Sequence, residues 1–140
     1  MNDSAECEFV QWYIRKAKRK RLLYELTAEA KRYDGLSRFC HQAEDLLEPS
    51  RIHLQGTDLK QDPAFLDFMR RQKGTCRILS PNRCLDGQDV PVLRAVEMAV
   101  QCLDAAILIG DSFAVVFSEA EKGGRKAYFL RRQPVSAQPF

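Results

Sequence analysis

Residues 105–132 read AAILIGDSFAVVFSEAEKGGRKAYFLRR. Ala105–Ile109 is a short apolar strand, and Gly110-Asp111 after it has the chemistry of a two-residue hairpin turn with glycine first. Phe113–Phe117 then reads as the return strand, and Glu119–Gly124 as a polar turn ending in Gly-Gly. Ala127–Leu130 forms a third strand, flanked by Arg and Lys as an edge strand often is. Three strands joined by turns this short make an antiparallel meander, and the fold class follows from it.

Working upstream, Asp89 stands where a helix N-cap would. Leu93, Val96, Val100 and Leu103 follow at spacings of three and four, the buried stripe of an amphipathic helix. Before them come a strand, Thr75–Leu79, and a loop, Pro81–Gly87, with Asn82 and Asp86-Gly87 as turn residues. Asp62-Pro63 is a helix start with an apolar face of Phe65, Leu66, Phe68 and Met69 and a stop at Gly74. Arg51–Gln55 is a short strand ended by Gly56. Leu36–Leu47 carries a helical period, Asp34-Gly35 reads as a turn, and residues 6–31 favour one long helix with a break near Thr27. The expectation is an α+β single domain over residues 1–140. Its helical part spans 5–48 and its α+β part 51–132, with a loose tail at 133–140. About five mainly antiparallel strands carry the helices, and the C-terminal meander closes the sheet.

The 140 residues are 45% hydrophobic and 29% charged, with 7 Gly and 6 Pro, which excludes a largely disordered or collagen-like chain. The longest apolar run, Ala105–Ile109, is far below the roughly 20 residues of a membrane span. Five cysteines at scattered positions, an odd number without a CxxC pair, fit buried thiols in a reducing compartment. The polar, acidic start lacks the pattern of a secretory signal, so a cytosolic protein is expected.

The net charge of +3 conceals two poles. Residues 15–21 hold six cations in seven positions, whereas residues 86–121 hold seven acids against one base, Arg94. Lys122, Arg125, Lys126, Arg131 and Arg132 make the end basic again. Such poles steer a charged partner or complement a second copy, so a homodimer is one option.

Ile109-Gly110-Asp111-Ser112 resembles the nucleophile block of the GDSL esterases, whose base comes from an Asp-x-x-His near the C-terminus. No histidine follows Ser112 here, and Gly110-Asp111 reads better as a turn. Cys40 and His41 splay about 100° apart on a helix and cannot pair with each other. A thiol activated by His53 from the next strand would need the two to meet in space. Cys40, His41, His53, Cys76 and Cys84 match no standard metal spacing, so no metal and no cofactor is expected. Gly123-Gly124 before Arg125-Lys126 has phosphate-contacting chemistry but reads more simply as a hairpin loop.

Two binding surfaces remain. Asp86, Asp89, Glu97, Asp104 and Asp111 give a negative face suited to a basic partner protein. Small inhibitors such as immunity proteins and antitoxins neutralise toxin enzymes through this kind of charge complementarity. Alternatively Arg15, Lys16, Lys18, Arg19, Lys20 and Arg21, beside Trp12, Tyr13 and Tyr24, would bind nucleic acid. The leading expectation is the protein-binding module; a small enzyme using Cys40 or Ser112 as nucleophile ranks behind both.

Overall fold

The computed structural model describes residues 4–57, 59, 61–102, 104–121 and 124–133. It is α+β, with six strands: β1 (Ile52–Thr57), β2 (Thr75–Leu79), β3 (Asp89–Pro91), β4 (Ala106–Ile109), β5 (Phe113–Glu121) and β6 (Gly124–Arg131). They form one sheet in the order β1-β6-β5-β4-β2-β3, every neighbouring pair antiparallel. The sheet is mainly antiparallel as expected, with six strands among the described residues. The C-terminal meander is present, but its last strand lies inside the sheet between β5 and β1, so the flanking cations do not mark an edge.

The pleat sorts the apolar residues onto two faces. Ile107, Ile109, Ala114, Val116, Tyr128 and Leu130 face the N-terminal helices. Leu108, Phe113, Val115, Phe117, Ala127 and Phe129 face the helices from the second half of the chain. Both faces are covered, which is why these strands read as continuous apolar runs instead of alternating ones. In the β4–β5 hairpin the Gly110 N–H donates to the Phe113 carbonyl at 2.9 Å, so the turn centres on Asp111-Ser112, one residue later than its chemistry implied. Gly110 is needed for another reason: a Cβ there would overlap the Phe113 ring. The strands also run further than expected, β5 through Glu121 and β6 from Gly124. Lys122 and Gly123 lie outside the described residues.

The N-terminal layer is not one long helix. It comprises α1 (Ser4–Tyr13), a 3-10 turn (Lys16–Lys18), α2 (Arg19–Thr27), α3 (Glu29–His41) and the short α4 (Ala43–Leu46). The first break arises because residues 13–15 pair with residues 46–48. Arg15 N–H donates to Leu46 O at 2.9 Å, and Glu48 N–H to Tyr13 O at 2.8 Å. The second falls at Ala28, as expected near Thr27, whose hydroxyl bonds back to Leu23 O at 2.8 Å. Asp34-Gly35 is not a turn: both residues lie inside α3. Gly35 lets α2 and α3 approach, because a Cβ there would stand 2.7 Å from Glu25 Cβ.

On the other face lie α5 (Pro63–Arg71) and α6 (Val92–Cys102). Asp62 caps α5, accepting from Phe65 N–H at 3.1 Å, with Pro63 in the first turn. Asp89 caps nothing; it sits in β3, paired with Arg77 of β2. The fully buried residues of α6 are Val92, Ala95 and Ala99; of the expected stripe, Val96 and Val100 pack partly buried against the same core, whereas Leu93 is 51% exposed. Leu103 lies outside the described residues, as do residues 134–140 of the tail.

Gly35→Ala should lower stability by about 1–3 kcal/mol, the usual cost of overpacking, although alanine outranks glycine in a helix by about 1 kcal/mol. Urea unfolding measures the difference, and a raised midpoint would contradict the close α2–α3 contact.

Candidate functional site

The acidic loop residues meet the helical layer around one guanidinium. Arg32 of α3 spans three segments. Its Nε and Nη2 donate to the two carboxylate oxygens of Asp86, each at 2.8 Å. Its Nη1 donates to Glu6 Oε2 of α1 at 2.6 Å and to Leu26 O of α2 at 2.9 Å. The Asp86 hydrogen bonds, with help from Glu6, hold this guanidinium more firmly protonated than in water, against the opposing effect of burial.

Local chemistry of residues 80–88 presents Asp86. Ser80 Oγ donates to Ala105 O at 2.6 Å and accepts from Asn82 N–H at 3.0 Å. Asn82 Oδ1 accepts from Cys84 N–H at 2.8 Å, and Gly87 adopts φ +84°, a conformation suited to glycine. Asp86 Oδ1 also accepts from Ser80 N–H at 3.1 Å, which fixes the carboxylate to the end of β2.

Beside this clamp lies a cavity of about 280 Å³, walled by Glu6, Leu26, Thr27, Glu29, Arg32, Arg77, Asp86 and Gly87. Arg77 is held in a two-point pair by Asp89, at 2.8 and 2.7 Å, and that pair keeps the Asp89 carboxyl below its ordinary range. Three carboxylates of the lining, Glu6, Glu29 and Asp86, thus stand against two guanidinia, Arg32 and Arg77. Glu6 is only 3% exposed, and its Oε1 has no hydrogen-bond partner. A buried acceptor left unpaired costs about 1–3 kcal/mol. Excess negative charge beside the aliphatic parts of Leu26 and Thr27 suits a cationic donor carried on an apolar stem.

Of the acids singled out from sequence, Asp86 lines this site on Arg32, and Asp89 stands behind it, holding the lining residue Arg77. Asp104 lies near it, accepting from Asn82 Nδ2 at 2.6 Å. Glu97 pairs with Arg94 along α6 at 2.7 Å. Asp111 is exposed on the β4–β5 turn. The structure therefore does not gather the five into one patch. Glu6, Glu29 and Arg32 escaped the sequence reading because charged residues are common along helices, and nothing in the pattern of α1 set Glu6 apart from Glu8.

The basic run is split as well. Arg15 Nε donates to Leu47 O and Arg19 Nε to Ile14 O, both at 3.0 Å, so these two brace the chain at its first break. Lys16, Lys18, Lys20 and Arg21 are exposed, Arg21 within 3.8 Å of Glu25. Trp12 is covered by Arg51 and Arg132, 5.6 and 5.2 Å from its centroid, and Tyr13 is buried. Arg125 does not face a phosphate: it is 3% exposed, donates to Ala99 O and Asp104 O at 3.0 and 2.7 Å, and lies over Phe117.

The nucleophile candidates stay apart. Cys40 is in the core on the N-terminal-helix face. The His53 ring lies against Phe129 of the opposite face and bonds Gln133 O at 2.9 Å. His41 is exposed at the end of α3, and Ser112 is exposed on its turn. Among the described residues no three His, Cys, Asp or Glu side chains could hold a metal ion, and no helix is long and apolar enough to cross a membrane. No protein-family model matches the chain, and neither the curated proteins nor the solved structures contain a match.

Burial, with a smaller contribution from Asp111, pushes the Cys76 thiol from its ordinary 9.0 to about 12, and burial likewise pushes Tyr13 from 10.0 to about 12. The fold therefore holds these protons more tightly than the unfolded chain. Their stabilisation is complete below pH 9.0 and lost as pH rises toward 12. The urea midpoint should fall across that window, and less steeply in Cys76→Ala. At neutral pH a thiol reagent should modify exposed Cys7 and Cys84 and spare buried Cys40 and Cys76. Mass spectrometry reads this, and rapid native modification of Cys76 would contradict the packing.

Proposed function

We propose that this chain is a non-enzymatic protein-binding module that docks a basic partner, in the manner of the immunity proteins and antitoxins that neutralise a toxin enzyme in the cytosol. The observation that carries the reading is the cavity beside Arg32, whose lining holds Glu6, Glu29 and Asp86 against Arg32 and Arg77. An Arg or Lys side chain of the partner would enter it, its aliphatic stem against Leu26 and Thr27 and its charged end toward Glu6 and Glu29. Anchor side chains seated in pockets dominate interface energetics, often at roughly 2 kcal/mol or more each. The exposed carboxylates nearby, Glu29 and Asp104, would act earlier, speeding encounter with a positive surface.

A capped Leu-Arg-Leu tripeptide amide, titrated into isotopically labelled protein, should shift the backbone amide signals of Glu6, Thr27, Glu29 and Gly87 first. Capped Leu-Glu-Leu should not, and Glu29→Gln should weaken the response several-fold. Shifts elsewhere, or equal shifts from both peptides, would reject the reading.

A further inference from the structure

A second cavity, of about 390 Å³, lies where α1 meets α2. Its apolar part is Val10, only 2% exposed, with half-buried Leu23 and the exposed Cys7 beside them. Its basic part is Lys16, Arg19 and Lys20. Among the described residues none of these three cations has an ion-pair partner. The acids on the same two helices are engaged elsewhere: Glu6 by Arg32, Glu8 by Arg132, and Glu25 by Arg38 and Arg21. The groove therefore combines an apolar floor with uncompensated positive charge on one side. It is chemically the opposite of the cavity beside Arg32.

We propose that this groove docks an acidic amphipathic helix of a partner protein. Leu, Met or Phe side chains at helical spacing would cover Val10 and Leu23, and Glu or Asp on the flank of that helix would meet Lys16, Arg19 and Lys20. Charge complementarity selects an anion, and the floor selects one that carries apolar groups. Nucleic acid meets the first condition but finds no base-stacking surface in the groove. The Trp12 ring is already covered by Arg51 and Arg132, Tyr13 is buried, and exposed Tyr24 is not part of the lining. The surface is independent of the cavity beside Arg32, and each can fail without the other.

The test is selection on the immobilised chain from a displayed library of short peptides containing equal shares of acidic and basic amphipathic helices. Enriched sequences should be acidic, with apolar residues three and four apart. Their synthetic forms should protect Cys7 from a thiol reagent while leaving Cys84 reactive. Lys20→Glu and Leu23→Ser should each weaken them by about tenfold or more. Lys20→Glu changes an exposed side chain, so it tests the groove even should Leu23→Ser fail to fold. Loss of fluorescence-anisotropy binding as salt rises would complete the expected pattern. The proposal is overturned by enrichment of basic peptides, by binding that leaves Cys7 labelling unchanged, by no enrichment over the Lys16→Glu/Lys20→Glu variant, or by labelled RNA or duplex DNA binding the chain more tightly than the best acidic peptide.

Discussion

The Arg32 guanidinium is the directional constraint on which the arrangement of layers depends. Hydrophobic burial on the two faces of the sheet supplies most of the driving force, but it is non-directional and would tolerate several placements of the helices. Arg32 removes that freedom. It ties the start of α1 through Glu6, the end of α2 through Leu26 O, and the residue 80–88 loop through Asp86, which is itself bonded to Ser80 at the end of β2. Ion pairs this enclosed add little net stability relative to apolar packing, but removing one partner would leave the others uncompensated. The same clamp leaves Glu6 with an oxygen it cannot satisfy, so the element that fixes the architecture also creates the chemistry proposed for the cavity.

Much of the formal charge is spent inside the molecule. Arg77 and Asp89 bridge β2 to β3, Arg132 reaches Glu8, and Arg125 is folded against Phe117 and two carbonyls. Arg131 lies over Phe68, 4.9 Å from its centroid. The basic C-terminal stretch is therefore largely a set of covers for aromatic rings rather than a binding surface. Two cavities of opposite character stand out among the described residues: one beside Arg32 with more carboxylates than guanidinia, and one between α1 and α2 lined by Lys16, Arg19 and Lys20.

The meander and the α5 cap were legible because their signals are local: apolar runs between turn residues, and Asp-Pro ahead of an apolar face. The errors came where a residue serves a distant neighbour. Asp34-Gly35 has turn chemistry, yet the glycine is there for Glu25 on the adjacent helix. Asp89 resembles a cap, yet it answers Arg77 on the neighbouring strand. The break after Tyr13 needed knowledge that residues 46–48 return to it. The site was half visible. Asp86 and Asp89 stood out in an acidic segment, but Glu6 and Arg32 are separated by 26 positions and Arg32 and Asp86 by 54, and no periodicity reports such a meeting.

The central claim is that the clamp leaves a negative cavity fitted to a cationic side chain. A crystal structure of the chain grown with arginine amide tests it most directly. The account predicts the guanidinium of that molecule within hydrogen-bond distance of Glu6 and Glu29, with Arg32 still bound to Asp86. Arginine amide ordered only at other sites, or a cavity closed by rotation of Glu6 onto a protein donor, would contradict it.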